Sequence, residues 1–372
     1  MKYRINKKTE EIFFSGLRGA MVRDIGPSEV DSYYNIDGRT GEDNLRELRS
    51  WGANLIRWRI SGGENPNLNW TYDYVRKRLE HLRETLQLCE EIGMKVIVVL
   101  MDTPGGRISR TDSRNAMFYN SSLYQEFLQI WEMIASDDGI RNHPALYAYD
   151  LMNEPNHGMD NLVINWRDAH IEAGLRIRQY DTDTPIAIEP VGGEYAYANL
   201  EPFVGIGKVY YQFHFYTPHC YTHQMVHDPS WHNSWSFTNI YPGVMRYRET
   251  FNGEEKTAYY DKSTLIERIK PIVDWQIRYP GNKIFAGEFS TACWSPNATE
   301  WLKDVIGLFE LHNWDWCYHA FREWPGWSVE HNGTSSYPHE FTKLESDSDR
   351  KKVLLKAFEK NTRVRSALIK KL

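Results

Sequence analysis

Eight short apolar runs, each followed by a longer stretch, constrain this chain more than any other feature. The runs are residues 13–20, 54–60, 95–100, 145–152, 185–188, 209–215, 283–286 and 316–321. Apolar runs of this length are what strands buried on both faces look like. Helical periodicity fills most of the intervals, at 45–50, 74–92, 123–135, 162–180, 262–279, 299–312 and 351–361. Gly93 offers a stop for the second of these, and Asn161 is placed to cap the fourth. Strands that alternate with helices pair in parallel, and eight such units close into a barrel. No Gly/Ser-rich or Pro-rich linker divides the 372 residues. The expectation is therefore α/β: a single (β/α)8 TIM barrel domain over 1–372, with elaborated loops after its strands.

Composition removes several function classes. The 44 basic and 50 acidic residues give a formal charge of -6 with no long block of either sign, so no phosphate-binding face and no nucleic-acid partner is indicated. The longest purely apolar run, 96–101, is far shorter than the roughly 20 residues of a membrane-spanning helix. Ile12, Phe13 and Phe14 are too short a run for a signal-peptide core, which fits a cytoplasmic protein or a processed secreted one. Cys89, Cys220, Cys293 and Cys317 lie far apart without paired metal-ligand spacing, so four free thiols are expected. There is no Gly-rich phosphate loop and no G-x-S-x-G elbow, and no cofactor is called for. The chain is rich in rings, with 14 Trp, 23 Tyr and 15 Phe. Rings fill cores, and exposed ones also stack on the apolar faces of sugars; Trp231 with Trp235, Trp314 with Trp316 and Trp324 with Trp327 are the clusters suited to that.

The chemistry concentrates at strand ends. The run at 145–152 leads into Asn153, Glu154 and Pro155, and the run at 283–286 leads into Gly287 and Glu288. These positions fall on the fourth and seventh strands, at the end of the barrel where active sites assemble. Two carboxylates facing each other across that mouth are what cleavage of a glycosidic bond needs, one giving a proton to the leaving oxygen and one acting on the anomeric carbon. Glu189, ending the fifth strand, is a third carboxylate, and its place suits support of the other two.

At this point the residues resemble a known family, the family 5 glycoside hydrolases, which are cellulase-like retaining enzymes on a (β/α)8 barrel. The likeness is carried by Gly16-Leu17-Arg18-Gly19 in the first strand and by Gly52 to Arg57 in the second. Asn153-Glu154-Pro155 resembles the acid/base motif, His214-Phe215-Tyr216 the sixth strand, and Gly287-Glu288-Phe289 the nucleophile motif. The resemblance implies that Glu154 is the acid/base and Glu288 the nucleophile. It implies that Asn153 bonds the sugar 2-hydroxyl, and that Arg57, His214 and Tyr216 line the site. The substrate so implied is a β-linked oligo- or polysaccharide of the β-glucan or mannan type. Arg57 and Tyr216 beside Glu288 would favour its ionised form, whereas an acid at Glu154 calls for a raised pKa. His214 and Tyr216, two apart, share a strand face.

Three positions depart from the family pattern. Arg59 stands where a proline is usual. The third strand, Val99-Leu100-Met101 before Asp102, lacks the family's histidine, and Asp102 is the candidate replacement contact. At the eighth strand the aromatic platform falls late, with His319 and Phe321 in the strand itself; Trp324 is chosen over Trp327.

Other signals compete. His219, His223 and His227 recur every four residues beside His214 and His232, a spacing that on a helix lines up metal ligands, but Pro218 and Pro229 break the segment. A surface loop without metal is the expectation. Residues 217–260 form the longest irregular stretch, which follows a strand's C-terminal end and would either shape an open cleft or wall one off. From another class, a barrel that binds carbohydrate without turnover would carry the same fold.

Overall fold

The computed structural model describes residues 16–31, 38–230 and 232–369, with side chains to Asn361. The first part of the run at 13–20, the segment 1–14 and Trp231 lie outside the described residues. Eight parallel strands form a closed barrel: β1 (Arg18–Arg23), β2 (Leu55–Ile60), β3 (Lys95–Leu100), β4 (Leu146–Asp150), β5 (Ile186–Ile188), β6 (Val209–His214), β7 (Lys283–Glu288) and β8 (Asp315–Tyr318). Each pairs with its sequence neighbours, and β8 returns to β1 through Arg18 opposite Trp316.

Around them lie α1 (Gly41–Ser50), α2 (Trp70–Ile92), α3 (Ser121–Ser136), α4 (Trp166–Arg178), α5 (Lys262–Arg278), α6 (Ala298–Leu311) and α7 (Asp349–Ile369). Local chemistry sets their ends. Thr40 and Asp43 exchange hydrogen bonds in a capping box at the start of α1, and Asp261 with Thr264 does the same for α5. Gly93 ends α2 in the left-handed conformation, at φ +74°. The fourth helix begins later than its periodicity suggests: Asn165, not Asn161, accepts from the backbone of Asp168, and Asn161 itself takes φ +59°. Leu162 and Ile164 pack against the core from this loop, which is why their spacing mimics a helix. No α-helix fills the interval between β5 and β6, only the 3-10 turn Gly193–Ala198.

The stretch 217–260 is more ordered than its composition suggests. It holds one helical turn, His219–Thr222, and an antiparallel hairpin of Gly243–Arg248 with Glu255–Tyr260. A second hairpin, Arg107–Ser109 with Asp112–Asn115, follows β3 and has no counterpart in the sequence reading. All four cysteines are buried free thiols. No helix among the described residues is long and apolar enough to cross a membrane.

Two apolar layers hold the barrel. The larger one lies between strands and helices. The inner one is a belt of Leu17, Leu55, Ile97, Ala148, Ala187, Tyr210, Phe285 and Cys317, one residue at each strand. Because side chains alternate along a strand, the residues two positions further on also point inward. Those are Gly19, Arg57, Val99, Asp150, Glu189, Gln212, Gly287 and His319, so a largely polar layer sits directly on the apolar belt, toward the strands' C-terminal ends.

Candidate active site

Arg57 is the centre of this polar layer. It is fully buried, and its guanidinium makes three bonds: Nε to Asp150 at 2.8 Å, Nη1 to Glu288 at 2.6 Å and Nη2 to Asn153 at 3.0 Å. Burial works against its charge, but Asp150, Glu288 and Glu189 more than offset that cost. Asp150 is also bonded by Gln212. Asn153, fixed through its oxygen by Arg57 and through its backbone N–H by the carbonyl of Leu100 at 3.1 Å, turns its amide nitrogen away from Arg57.

Glu288 reaches this layer against the strand's own alternation. Phe285 points inward, so by a period of two Glu288 would face the helices. The pairing of β7 with β6 slips between Ala286 and Glu288, and this bulge sets Glu288 opposite His214. Gly287 is the residue that allows it, since a Cβ there would stand 2.4 Å from Gln212 Oε1 and 3.2 Å from His214 Nε2. Glu288 is 2% exposed. One oxygen accepts from Arg57, and the other accepts from the Tyr216 hydroxyl at 2.9 Å and lies 3.2 Å from His319 Nδ1. Burial pushes its pKa up, but His214, His319, Arg57 and the Tyr216 hydroxyl together hold it well below the usual carboxylate range.

Glu154 comes from the opposite wall, beyond β4. It sits at φ +44°, a conformation rare for a side chain of this kind, and neighbours clamp it there. Its N–H donates to Glu189 at 2.8 Å, and its carbonyl accepts from Arg107 at 3.1 Å. The hairpin after β3 thus braces the loop that carries Glu154, with Asn115 and Asn156 exchanging two further bonds. The Glu154 carboxylate is about half exposed and bonds His214 Nδ1 at 2.8 Å. The nearest carboxylate oxygens of Glu154 and Glu288 lie within 4.8 Å of each other.

His214 joins the acidic groups. Its Nδ1 meets Glu154 and lies 3.7 Å from Glu288, while its Nε2 lies 3.4 Å from Glu189. Burial opposes its charge, but Glu189, Glu288 and Glu154 raise its pKa to about 9. The raised value expected of Glu154 is found elsewhere. Burial would raise Glu154, yet the hydrogen bond and charge of His214 lower it, and it is Glu189, buried without a full partner, that rises to about 8. These charges favour a proton on His214 and Glu189 over Glu154, and His214 stands one hydrogen bond from the Glu154 carboxylate. Among the described residues, Glu154, His214 and Glu288 are also the group whose ligand-type atoms converge closely enough for a cation, but a protonated His214 donates and has no lone pair to give. His219, His223 and His227 do not converge in that way. His219 stacks on His223 at 5.2 Å, and His227 packs on His232 at 4.7 Å and on Trp235 at 6.0 Å.

The remaining sequence candidates fall further out. One oxygen of Asp102 accepts from the Gly63 N–H at 2.9 Å, tying the loop after β2 to that after β3. Arg59 pairs with Glu323 at 2.7 Å, and Glu323 lies 3.3 Å from His319 Nε2. The indole that packs on Tyr216 and His319 is that of Trp327, at 6.3 and 6.0 Å, and Trp324 packs one ring further out, against Trp327, Trp294 and Phe341. His319, which lies two residues beyond the inward Cys317 and so shares its face, is the site residue that strand alternation marks here. The same parity, applied from Ala148, marks Asp150.

The geometry has relatives. The model of the cellulase family, glycosyl hydrolase family 5, matches residues 11–323. The chain is similar to endoglucanase C of Acetivibrio thermocellus, with 23% identity over 65% of this chain and 72% of the relative. It is also similar to cellodextrinase A of Ruminococcus flavefaciens, with 21% identity over 74% and 77%. Among solved structures, Cel5A of Thermotoga maritima in complex with cellobiose superposes with a TM-score of 0.66 and 18% identity, covering 94% of this chain and 99% of that one. The same enzyme in complex with mannotriose superposes at 0.63. With the family's model running from before the first strand to beyond the eighth, the chain belongs to glycosyl hydrolase family 5 and is a glycosidase.

Proposed function

We propose that this barrel forms one catalytic domain that hydrolyses β-glycosidic bonds of β-glucan or mannan-type chains by double displacement, with retention of configuration. The observation that carries the reading is the pair Glu154 and Glu288, their nearest oxygens within 4.8 Å across the mouth. Retaining enzymes hold their carboxyl groups about 5 to 5.5 Å apart, whereas inverting ones leave about 6.5 to 9.5 Å for a water. Glu288 stays ionised among Arg57, Tyr216 and His319, as a nucleophile must. It attacks the anomeric carbon as Glu154 hands a proton to the leaving oxygen. That proton comes through the Nδ1 contact of His214, whose positive charge is steadied by the ionised Glu288 at 3.7 Å. In the second step water enters on the Glu154 side, gives its proton to that carboxylate and releases the sugar from Glu288.

Asn153, aimed by Arg57, donates to the 2-hydroxyl, where charge develops in the transition state. Asp102 and Trp324 would contact sugars further from the cleaved bond. The named relatives, an endoglucanase and a cellodextrinase, and the cellobiose and mannotriose complexes of a structural neighbour, support glucan and mannan chains as the substrates to test first. The test is trapping with 2-fluoro β-glucosides and β-mannosides followed by peptide mapping. A covalent sugar on Glu288 is the expected result; an adduct on another residue, or release of the inverted anomer, would overturn the reading. Should the wild type bind oligosaccharide as tightly as Glu288→Gln and neither turn it over, the role is binding without hydrolysis.

A further inference from the structure

Beside the catalytic pair the described residues enclose a cleft of about 400 Å³, between the loop after β5, the stretch after β6 and helix α5. Trp235, Tyr247 and Tyr260 line one side of it. Each is part-buried and packed against the core, so each keeps a fixed orientation with some surface left to solvent. The facing wall is polar and equally fixed. Arg268 donates to Glu194 at 2.6 Å, its guanidinium lies 3.4 Å over the ring of Tyr195, and Thr217 donates to the same Glu194 at 3.3 Å.

The cleft is continuous with the site. Thr217 follows Tyr216 directly, and the exposed His219 ring stands 6.1 Å from that of Tyr216 and 5.6 Å from that of Trp235. The loop after β5, which brings Tyr195 to the cleft, leaves the strand end whose Glu189 accepts from the Glu154 N–H at 2.8 Å, which puts the opening on the wall that supplies the acid/base. A leaving group departs toward that wall. We infer that this cleft is a subsite for a neutral β-linked hexose on the leaving-group side of the cleaved bond, built by the 217–260 stretch. The inference rests on the hydrolase reading above.

The chemistry favours a neutral sugar over other occupants. Arg268 is balanced by Glu194, and Glu267 at the rim adds a further negative group, so the cleft offers no surplus positive charge for phosphate or a uronic acid. Rings against one face and hydrogen-bonding groups against the other match a pyranose, which is apolar on its C–H faces and polar around its edge. On this assignment the 217–260 stretch extends the site instead of walling it off.

The experiment uses the full chain. In a Glu288→Gln background, binding of β-1,4-glucotetraose and β-1,4-mannotetraose is measured by calorimetry with and without Glu267→Trp, which fills the rim from an exposed helix position and removes no packed ring. Trp235→Ala is the companion variant, its folding checked by thermal melting. At least one of the two sugars should bind about tenfold more weakly to both variants, the size of effect seen for a well-placed ring contact. Unchanged affinity for both sugars in Glu267→Trp overturns the subsite.

In the active enzyme, the ratio of kcat/KM on the tetraose to that on an aryl β-glycoside should fall by the same factor. An equal fall on both substrates signals a purely structural role and overturns it too. A wild type that releases no aryl glycoside refutes the hydrolase reading instead, and the calorimetry still decides the cleft.

Discussion

Replacing Arg57 by Met tests the polar layer most directly. The side chain is fully buried and is bonded to Asp150, Glu288 and Asn153, so the substitution leaves two buried carboxylates facing each other without their cation. Breaking a buried pair by removing one partner costs about 3 to 5 kcal/mol. With an unfolding entropy of about 2.1 cal/mol/K per residue, a chain of this length should lose about 4 to 6 °C in melting temperature at pH 7.

The pH dependence carries the sharper content. In the wild type the Glu288 pKa is held below its unfolded value, so its contribution to stability is complete above about 4.5 and is lost only as pH falls through the lower folded value. Without Arg57 the sign reverses. Asp150, already raised by burial against the pull of Arg57, rises further, and Glu288 loses one of its stabilising charges. A carboxylate raised above its unfolded pKa destabilises at high pH and ceases to do so once protonated. The gap between variant and wild type should therefore narrow between pH 7 and pH 4.5, measured by scanning calorimetry. Adding Asp150→Asn should recover part of the loss at pH 7. A gap that is the same at both pH values, or a second substitution that simply adds its own cost, would refute the reasoning.

Other predictions concern the site's protons and its backbone. Above its own pKa of about 8, Glu189 sets a negative charge against His214, and Glu189→Gln withdraws it, so the His214 pKa should fall from about 9 toward the ordinary value and the alkaline limb of the kcat/KM profile should move to lower pH; an unmoved limb contradicts the assigned link. Glu154→Gln should depress turnover of an alkyl β-glycoside far more than the first-step rate on a dinitrophenyl glycoside, whose leaving group needs no proton, with stopped-flow release as the readout. Gly287→Ala forces a Cβ to within 2.4 Å of Gln212, which should cost about 1 to 3 kcal/mol in urea unfolding and lower kcat by about 100-fold as Glu288 is displaced. Arg107→Ala frees the carbonyl of Glu154 and should lower kcat with little change in KM; a change in KM alone would mean that the hairpin after β3 acts on substrate instead.

What the sequence determined by itself was the architecture and the two strand ends from which Glu154 and Glu288 meet. Eight apolar runs reappear as eight barrel strands because strands buried on both faces admit few polar residues, a property that survives in one dimension. Glu154 and Glu288 stood out because a carboxylate closing such a run is costly without a use.

What only the tertiary structure decided was which groups share a charge. Asp150, Glu189, Gln212 and His319 come from four different strands or their ends, and no local pattern tells that they converge on Arg57, His214 and Glu288. The inward turn of Glu288 defies simple alternation, because a bulge at Gly287 depends on the neighbouring strand's register. The charges favour a proton on His214 and Glu189 over Glu154, because protonation follows the sum of all nearby charges and the depth of burial. Trp327 packs on Tyr216 and His319 with Trp324 one ring further out, and the hairpins within 107–115 and 243–260 form, because ring packing and loop closure are settled by partners distant in the chain. Periodicity is local and can be read along a chain; electrostatics and packing act through space and exist only once the barrel has closed.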